Sequence, residues 1–128
     1  MNMYTEIILD LYKNPRNKGQ LKNPTHESER NNPLCGDEIK LQLQVKNNQI
    51  KDVKFSGNGC AISQASASLL TDKLKNLPIE EAKSLNKETV LDLLHIPISP
   101  ARMKCALLSL ETLKEALENK NQNKKEEN

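Results

Sequence analysis

Ile39, Leu41, Leu43 and Val45 alternate with Lys40, Gln42, Gln44 and Lys46, and a strict period of two fits a strand with one buried face. Asn47-Asn48 follows, and asparagine tolerates the left-handed dihedrals of a tight turn. Val53 and Phe55 resume the alternation, with Ile50 out of phase, so this stretch predicts an antiparallel hairpin whose second strand carries a bulge or a longer turn. Every other apolar segment runs at helical spacing, so the chain is expected to be α+β: a small antiparallel β-sheet with helices packed on one face.

Tyr4, Ile7, Ile8, Leu11 and Tyr12 predict a first amphipathic helix, stopped by Pro15. Residues 14–34 are polar and read as a long loop with a short edge strand near Leu21. Cys60 to Lys75 reads as a helix with one wall of small residues, Ala61, Ala65, Ser66, Ala67 and Ser68, that lets a neighbour approach closely. Pro78 starts a short helix through Leu85, and Asn86 or Lys87 leads into another with Val90, Leu91, Leu93 and Leu94. Ser99-Pro100 is a serine cap followed by proline at the first helical position, and Ala106, Leu110, Leu113 and Leu117 carry the long final helix. Residues 119–128 hold only Asn, Lys, Gln and Glu and are expected to form a disordered polar tail, leaving residues 1–118 as one domain.

A net charge of +2, with basic and acidic residues interleaved, gives no stripe for nucleic acid. No segment reaches transmembrane length, and the N-terminus lacks the basic-then-apolar layout of a signal peptide. The expectation is a cytoplasmic chain with reduced thiols and no nucleic-acid or membrane partner.

The three cysteines carry the chemical content. Cys35 and Asp37 enter the first long strand, Cys60 leaves the second, and an antiparallel hairpin brings these ends together. Cys105 lies in the first two turns of the last helix and joins them only if that helix lands at the same sheet edge. Thiolates are soft ligands that select zinc, copper(I) or iron–sulfur units. Asp37 is a harder donor and would hold such cargo less firmly than a fourth thiolate. Gly36, Gly57 and Gly59 let the backbone wrap closely. Cys60 at a helix start, and Cys105 beside Arg102 and Lys104, are expected to favour thiolate, with Arg102 and Lys104 as tuning residues. The alternative is that free cysteines act as small core hydrophobes. His95 reads as a helix-end residue, His26 as solvated in the polar loop, and Met103 as core.

Four segments say more: Asn14-Pro15-Arg16-Asn17-Lys18-Gly19, Asn32-Pro33-Leu34-Cys35-Gly36-Asp37, Phe55 through Ser66, and Pro100-Ala101-Arg102-Met103-Lys104-Cys105. With them the chain resembles the iron–sulfur cluster assembly scaffold family, the IscU/SufU/NifU N-terminal group, from about Tyr4 to Leu117. The resemblance implies a SufE/NifU-like fold. It implies that Cys35, Asp37, Cys60 and Cys105 hold a transient [2Fe–2S] cluster or Zn2+, and that Asp37 keeps the site labile. It also implies sulfur delivered as persulfide by a pyridoxal-phosphate cysteine desulfurase, transfer to apo iron–sulfur acceptor proteins, and a cluster held within one chain or between two copies in a homodimer. Two functions follow from it, a cluster scaffold or, alternatively, a zinc-dependent sulfurtransferase with Cys105 as the candidate persulfide acceptor. Around the third cysteine the chain is SufU-like. It has Lys104 where many Isc-type members have histidine, and one proline where they carry a double-proline motif for a dedicated Hsp70. The span from Cys60 to Cys105 is nevertheless of Isc-type length.

Overall fold

The computed structural model describes residues 3–118, so the expected tail lies outside the described residues. In chain order the elements are α1 (Met3–Lys13), β1 (His26–Asn32), β2 (Asp37–Lys46), β3 (Gln49–Ser56), α2 (Ala61–Leu74), α3 (Ile79–Ser84), α4 (Lys87–Leu94) and α5 (Pro100–Glu118). The three strands form one antiparallel sheet in the order β1-β2-β3. Ile39, Leu41 and Leu43 of β2 and Ile50, Val53 and Phe55 of β3 are fully buried, and they form one core with α2, α4 and α5.

The central hairpin closes through Asn47 and Asn48, with φ of 55° and 62°. Two successive positive φ values define the type I′ turn that matches strand twist, and asparagine carries them at little cost. The expected irregularity is present: Gln44 pairs with Asp52 and Val45 with Ile50, leaving Lys51 as the extra residue. That bulge returns Ile50 to the buried face.

β1 corrects the sequence reading. No strand forms at Leu21; an edge strand instead spans His26–Asn32 and pairs fully with β2. Apolar alternation missed it because its helix-facing positions are polar. Ser28, opposite Leu41, donates a hydrogen bond to Glu115 of α5. Arg30, opposite Ile39, reaches Glu115 at 2.9 Å. His26 is likewise buried opposite Leu43, with its ring Nδ1 2.9 Å from Thr25 Oγ1, so it is not the solvated loop histidine expected. Leu21 lies over the other face of the sheet, where its N–H donates to Gln42 Oε1 at 2.9 Å.

The Asn14–Gly19 segment fastens α1 to the body. The Arg16 N–H donates to Ser68 Oγ at 3.1 Å, and its guanidinium meets Asp72 at 2.8 Å. The Asn17 amide donates to Thr71 and Asp72, both at 3.0 Å, while its carbonyl accepts from Phe55 N–H. On α1 only Ile8 and Leu11 are buried; Tyr12 is exposed, and Tyr4 stacks on His95 at 4.5 Å. His95 caps α4 in the left-handed conformation, consistent with a helix-end role. Asn86 opens α4 with a capping box shared with Thr89. Met103, expected in the core, is half-buried and stands outside the core cluster.

Two carboxylates tie these parts together and titrate low. Burial raises the Asp72 carboxyl, but hydrogen bonds from Asn17 and Arg16, with the charges of Arg16 and Lys75, outweigh it and hold it below its ordinary value. Ser28 and Arg30 do the same for Glu115 against a smaller opposing effect of burial. A depressed folded pKa stabilises above the unfolded value, about pH 4, and the stabilisation disappears as pH falls through the folded value. Denaturant midpoints measured from pH 6 down to pH 2 are therefore expected to fall in the acid range. The Asp72→Asn, Glu115→Gln double variant should start lower and show a shallower acid loss; an identical acid slope would remove these two groups from the account.

Candidate metal centre

The site lies at one end of the sheet, where the β1–β2 loop, the loop after β3 and the starts of α2 and α5 meet. Cys35 sits in the tight loop joining β1 to β2, a placement that the unseen β1 had hidden. Asn32 builds this loop: its carbonyl accepts from Cys35 N–H at 3.1 Å and Gly36 N–H at 2.8 Å, and its side-chain Oδ1 accepts from Leu34 N–H at 3.3 Å. Gly36, with φ of 75°, makes the reversal into β2. Asp37 is the first residue of β2 and is 1% exposed.

The loop from Gly57 to Cys60 presses against this strand. Glu38 N–H donates to Asn58 carbonyl at 2.8 Å, and Cys60 N–H donates to Asp37 Oδ1 at 2.9 Å. A methyl group on Gly57 would strike the Glu38 carbonyl, and its φ of 108° disfavours any side chain. A methyl group on Gly59 would meet Ser63 Oγ and lie 2.7 Å from Asp37 Oδ1. The glycines therefore permit close packing on a buried carboxylate, beyond the backbone freedom expected of them.

Cys60 is the N-cap of α2, and its thiol makes no capping bond, so the sulfur stays available. Cys105 is brought in by the close approach of α5 to α2. Ser66 Oγ donates to the Ala106 carbonyl at 2.7 Å and lies 3.1 Å from Ser109 Oγ, one residue past the thiol and one turn beyond it. The small wall of α2 serves as expected, and the last helix lands at the sheet edge carrying Asp37.

One ligand atom each from Cys35, Asp37 and Cys105 lies within 4.8 Å of the others. Cys105 Sγ donates to Cys35 Sγ at 3.3 Å. Cys60 stands outside this tight trio but touches it through its N–H bond to Asp37 and through a hydrogen bond and charge acting on Cys105. The thiols are graded in access: Cys35 is exposed, Cys60 half-buried, Cys105 buried. Asp37 Oδ2 is buried with no hydrogen-bond partner among the described residues. An unsatisfied buried acceptor costs about 1–3 kcal/mol, and more when charged. A cation between this oxygen and the thiols would offset that cost, so the donor set fits a soft metal ion or an iron–sulfur unit.

Arg102 faces the thiols: a hydrogen bond to Cys105, then the charges of Cys60, Cys105 and Cys35, raise its pKa. Lys104 is exposed and forms no hydrogen bond or ion pair among the described residues. The expectation of a thiolate at Cys105 is opposed by its surroundings. Burial first, then Asp37, Cys35 and Cys60, push the Cys105 thiol far up, and Arg102 does not compensate. Sequence reasoning named the ligand candidates but missed Asn32 as the residue that shapes the Cys35 loop; its place at the head of the Asn-Pro-Leu-Cys-Gly-Asp segment was the available signal.

Comparison with known proteins supplies the context. Residues 3–127 match the family described as NifU-like N-terminal domain. The chain is 39% identical to the zinc-dependent sulfurtransferase SufU of Bacillus subtilis, over 90% of this chain and 89% of that protein. It is 40% identical to the iron–sulfur cluster assembly scaffold protein IscU of Thermotoga maritima, over 90% of this chain and 92% of that protein. A crystal structure of a SUF-system cluster assembly scaffold from Fervidobacterium islandicum superposes with a TM-score of 0.75 at 30% identity, covering 88% of this chain and 94% of the other.

The packing of Gly59 on Asp37 is testable. Gly59→Ala should leave the far-ultraviolet dichroism unchanged yet weaken zinc binding by about 10–100-fold, the usual effect of disturbing a residue that orients a ligand. Zinc titration against a chromophoric chelator reads this directly, and an unchanged affinity would separate Asp37 from the ligand set.

Proposed function

The chain belongs to the NifU-like N-terminal domain family, and on that premise we propose that it is a scaffold on which iron–sulfur clusters are assembled and from which they are passed on. The observation that carries this reading is the buried Asp37 oxygen, unpaired among the described residues, beside two thiols 3.3 Å apart, with a third thiol adjoining. Cys35, Cys60 and Cys105 would hold the nascent cluster as cargo through sulfur. Asp37 would complete the set with oxygen, the weaker donor for such iron, so the cargo can leave.

Sulfur reaches the site from a cysteine desulfurase as persulfide, and apo iron–sulfur proteins receive the product. Cys35, and not the Cys105 expected from the resemblance, is the thiol to meet the incoming sulfur first, because it is exposed on its loop while Cys105 is buried. Arg102, facing the thiols from α5, supplies the positive charge that a cluster of thiolates needs. The cytoplasm suits this chemistry, since the three free thiols must stay reduced. Among the described residues no helix is long and apolar enough to cross a membrane.

A second reading is favoured by the exposure of Cys35 and by the likeness to the zinc-dependent sulfurtransferase. There Cys35, Asp37, Cys60 and Cys105 would hold zinc, and the accessible Cys35, in place of the Cys105 expected from the resemblance, would carry sulfur onward without a cluster being built.

Anaerobic incubation with iron, cysteine and a desulfurase should give visible cluster absorption, lost in Cys35→Ala; colourless wild type would remove the scaffold reading. Asp37→Cys, by adding a fourth thiolate, should hold its cluster against a chelator at least tenfold longer than wild type. For the alternative, zinc loading should raise desulfurase turnover several-fold, and equal turnover with and without zinc would dismiss it.

A further inference from the structure

Cys35 and Cys105 form a pair with unequal access. Cys35 is exposed at a loop tip, where Gly36 has φ of 75° and nothing lies within 4 Å of the position a Cβ would take. Cys105 is buried, and its thiol proton is directed at Cys35 Sγ across 3.3 Å. An outside donor can reach the first thiol and not the second. The second is already in place beside the first.

We propose that this pair converts received sulfur to sulfide: once Cys35 carries a sulfane sulfur, Cys105 Sγ attacks Cys35 Sγ, expels the outer sulfur as hydrogen sulfide and leaves a Cys35–Cys105 disulfide. The proposal rests on the reading above, in which the chain accepts sulfur as persulfide. The bond between Cys35 Sγ and the sulfane sulfur breaks, and the Cys35–Cys105 bond forms. The Cys105 proton leaves with the expelled sulfur, which already holds one hydrogen. The sulfane sulfur gains two electrons, and the two cysteine sulfurs lose them. The step therefore needs no outside reductant; a dithiol reductant must reopen the disulfide before the next turn.

Three features favour this direction. The sulfurs need only close from 3.3 Å to the roughly 2.05 Å of a disulfide, and the open Gly36 loop can supply that movement. Hydrosulfide is the anion of a stronger acid than an alkyl thiol, so it departs more readily than Cys35 thiolate would if the outer sulfur were attacked. Arg102, three residues before Cys105 on α5 and so on the same side of the helix, places a positive charge near the pair that would attract the departing anion. Sulfide would thus appear beside the thiols and carboxylate proposed to hold iron.

The test uses the full chain, stripped with a chelator, reduced and then freed of reductant. It is charged by a cysteine desulfurase with limiting L-cysteine. Wild type should release stoichiometric sulfide, and unreduced peptide mapping should show a Cys35–Cys105 disulfide. Cys105→Ser should release none and retain one added sulfur atom on Cys35; the wild-type map decides alone should this variant fail to fold. Wild type that keeps its persulfide on Cys35, or moves it intact to Cys105 without sulfide, overturns the proposal while leaving sulfur acceptance standing. No added sulfur, sulfide or disulfide in wild type, together with no sulfur on Cys105→Ser, overturns both.

Discussion

The Asp37 carboxylate, buried at the head of β2, joins the two ends of the central hairpin. One oxygen accepts the Cys60 N–H at 2.9 Å, and the other is left beside the thiols without a hydrogen-bond partner among the described residues. The first bond fixes the start of α2 against the start of β2, assisted by Glu38 N–H to Asn58 carbonyl at 2.8 Å. The second oxygen keeps an unmet demand for a cation at that junction. A buried carboxylate oxygen without a partner is costly in a protein interior, and a bound cation would offset that cost.

Around that carboxylate the surroundings set how close things come. Gly57 and Gly59 permit contacts that a methyl group would forbid, and Ser66 lets α5 lie against α2 closely enough for a hydroxyl-to-backbone bond. Cys105 is therefore held by rigid packing, whereas Cys35 rides on a short loop shaped by Asn32. A site with one fixed thiol and one accessible thiol suits cargo that must be received and then released. The same proximity that would bind a metal also gives two thiols the separation needed for exchange chemistry. Both the scaffold and the sulfurtransferase readings draw on this arrangement, and they differ in whether the site builds a cluster or holds zinc while a thiol carries sulfur.

Much of the fold was legible because it rests on local patterns. The β2–β3 hairpin followed from alternation and Asn47-Asn48, its bulge from the misplaced phase of Ile50, and the starts of α4 and α5 from Asn86 and Ser99-Pro100. β1 was not legible, because its inward residues Ser28 and Arg30 are satisfied by Glu115, 87 and 85 positions away. His26 was misplaced for the same reason. The amphipathic face of α1 was only partly used, since tertiary packing covered Ile8 and Leu11 and left Ile7 and Tyr12 exposed.

The sequence by itself determined the α+β class, the hairpin, the helix starts and the candidate ligands, because period, turn chemistry and residue type are local properties. Tertiary structure alone decided that α5 lands at the sheet edge carrying Asp37, that Cys105 lies 3.3 Å from Cys35, and that Cys35 is the accessible thiol. It also surrounds Cys105 with groups that oppose a thiolate. Neighbouring Arg102 and Lys104 argue for thiolate, but burial beside Asp37, Cys35 and Cys60 argues more strongly for thiol. Charge along a sequence is local, whereas desolvation is set by everything that folds over the group.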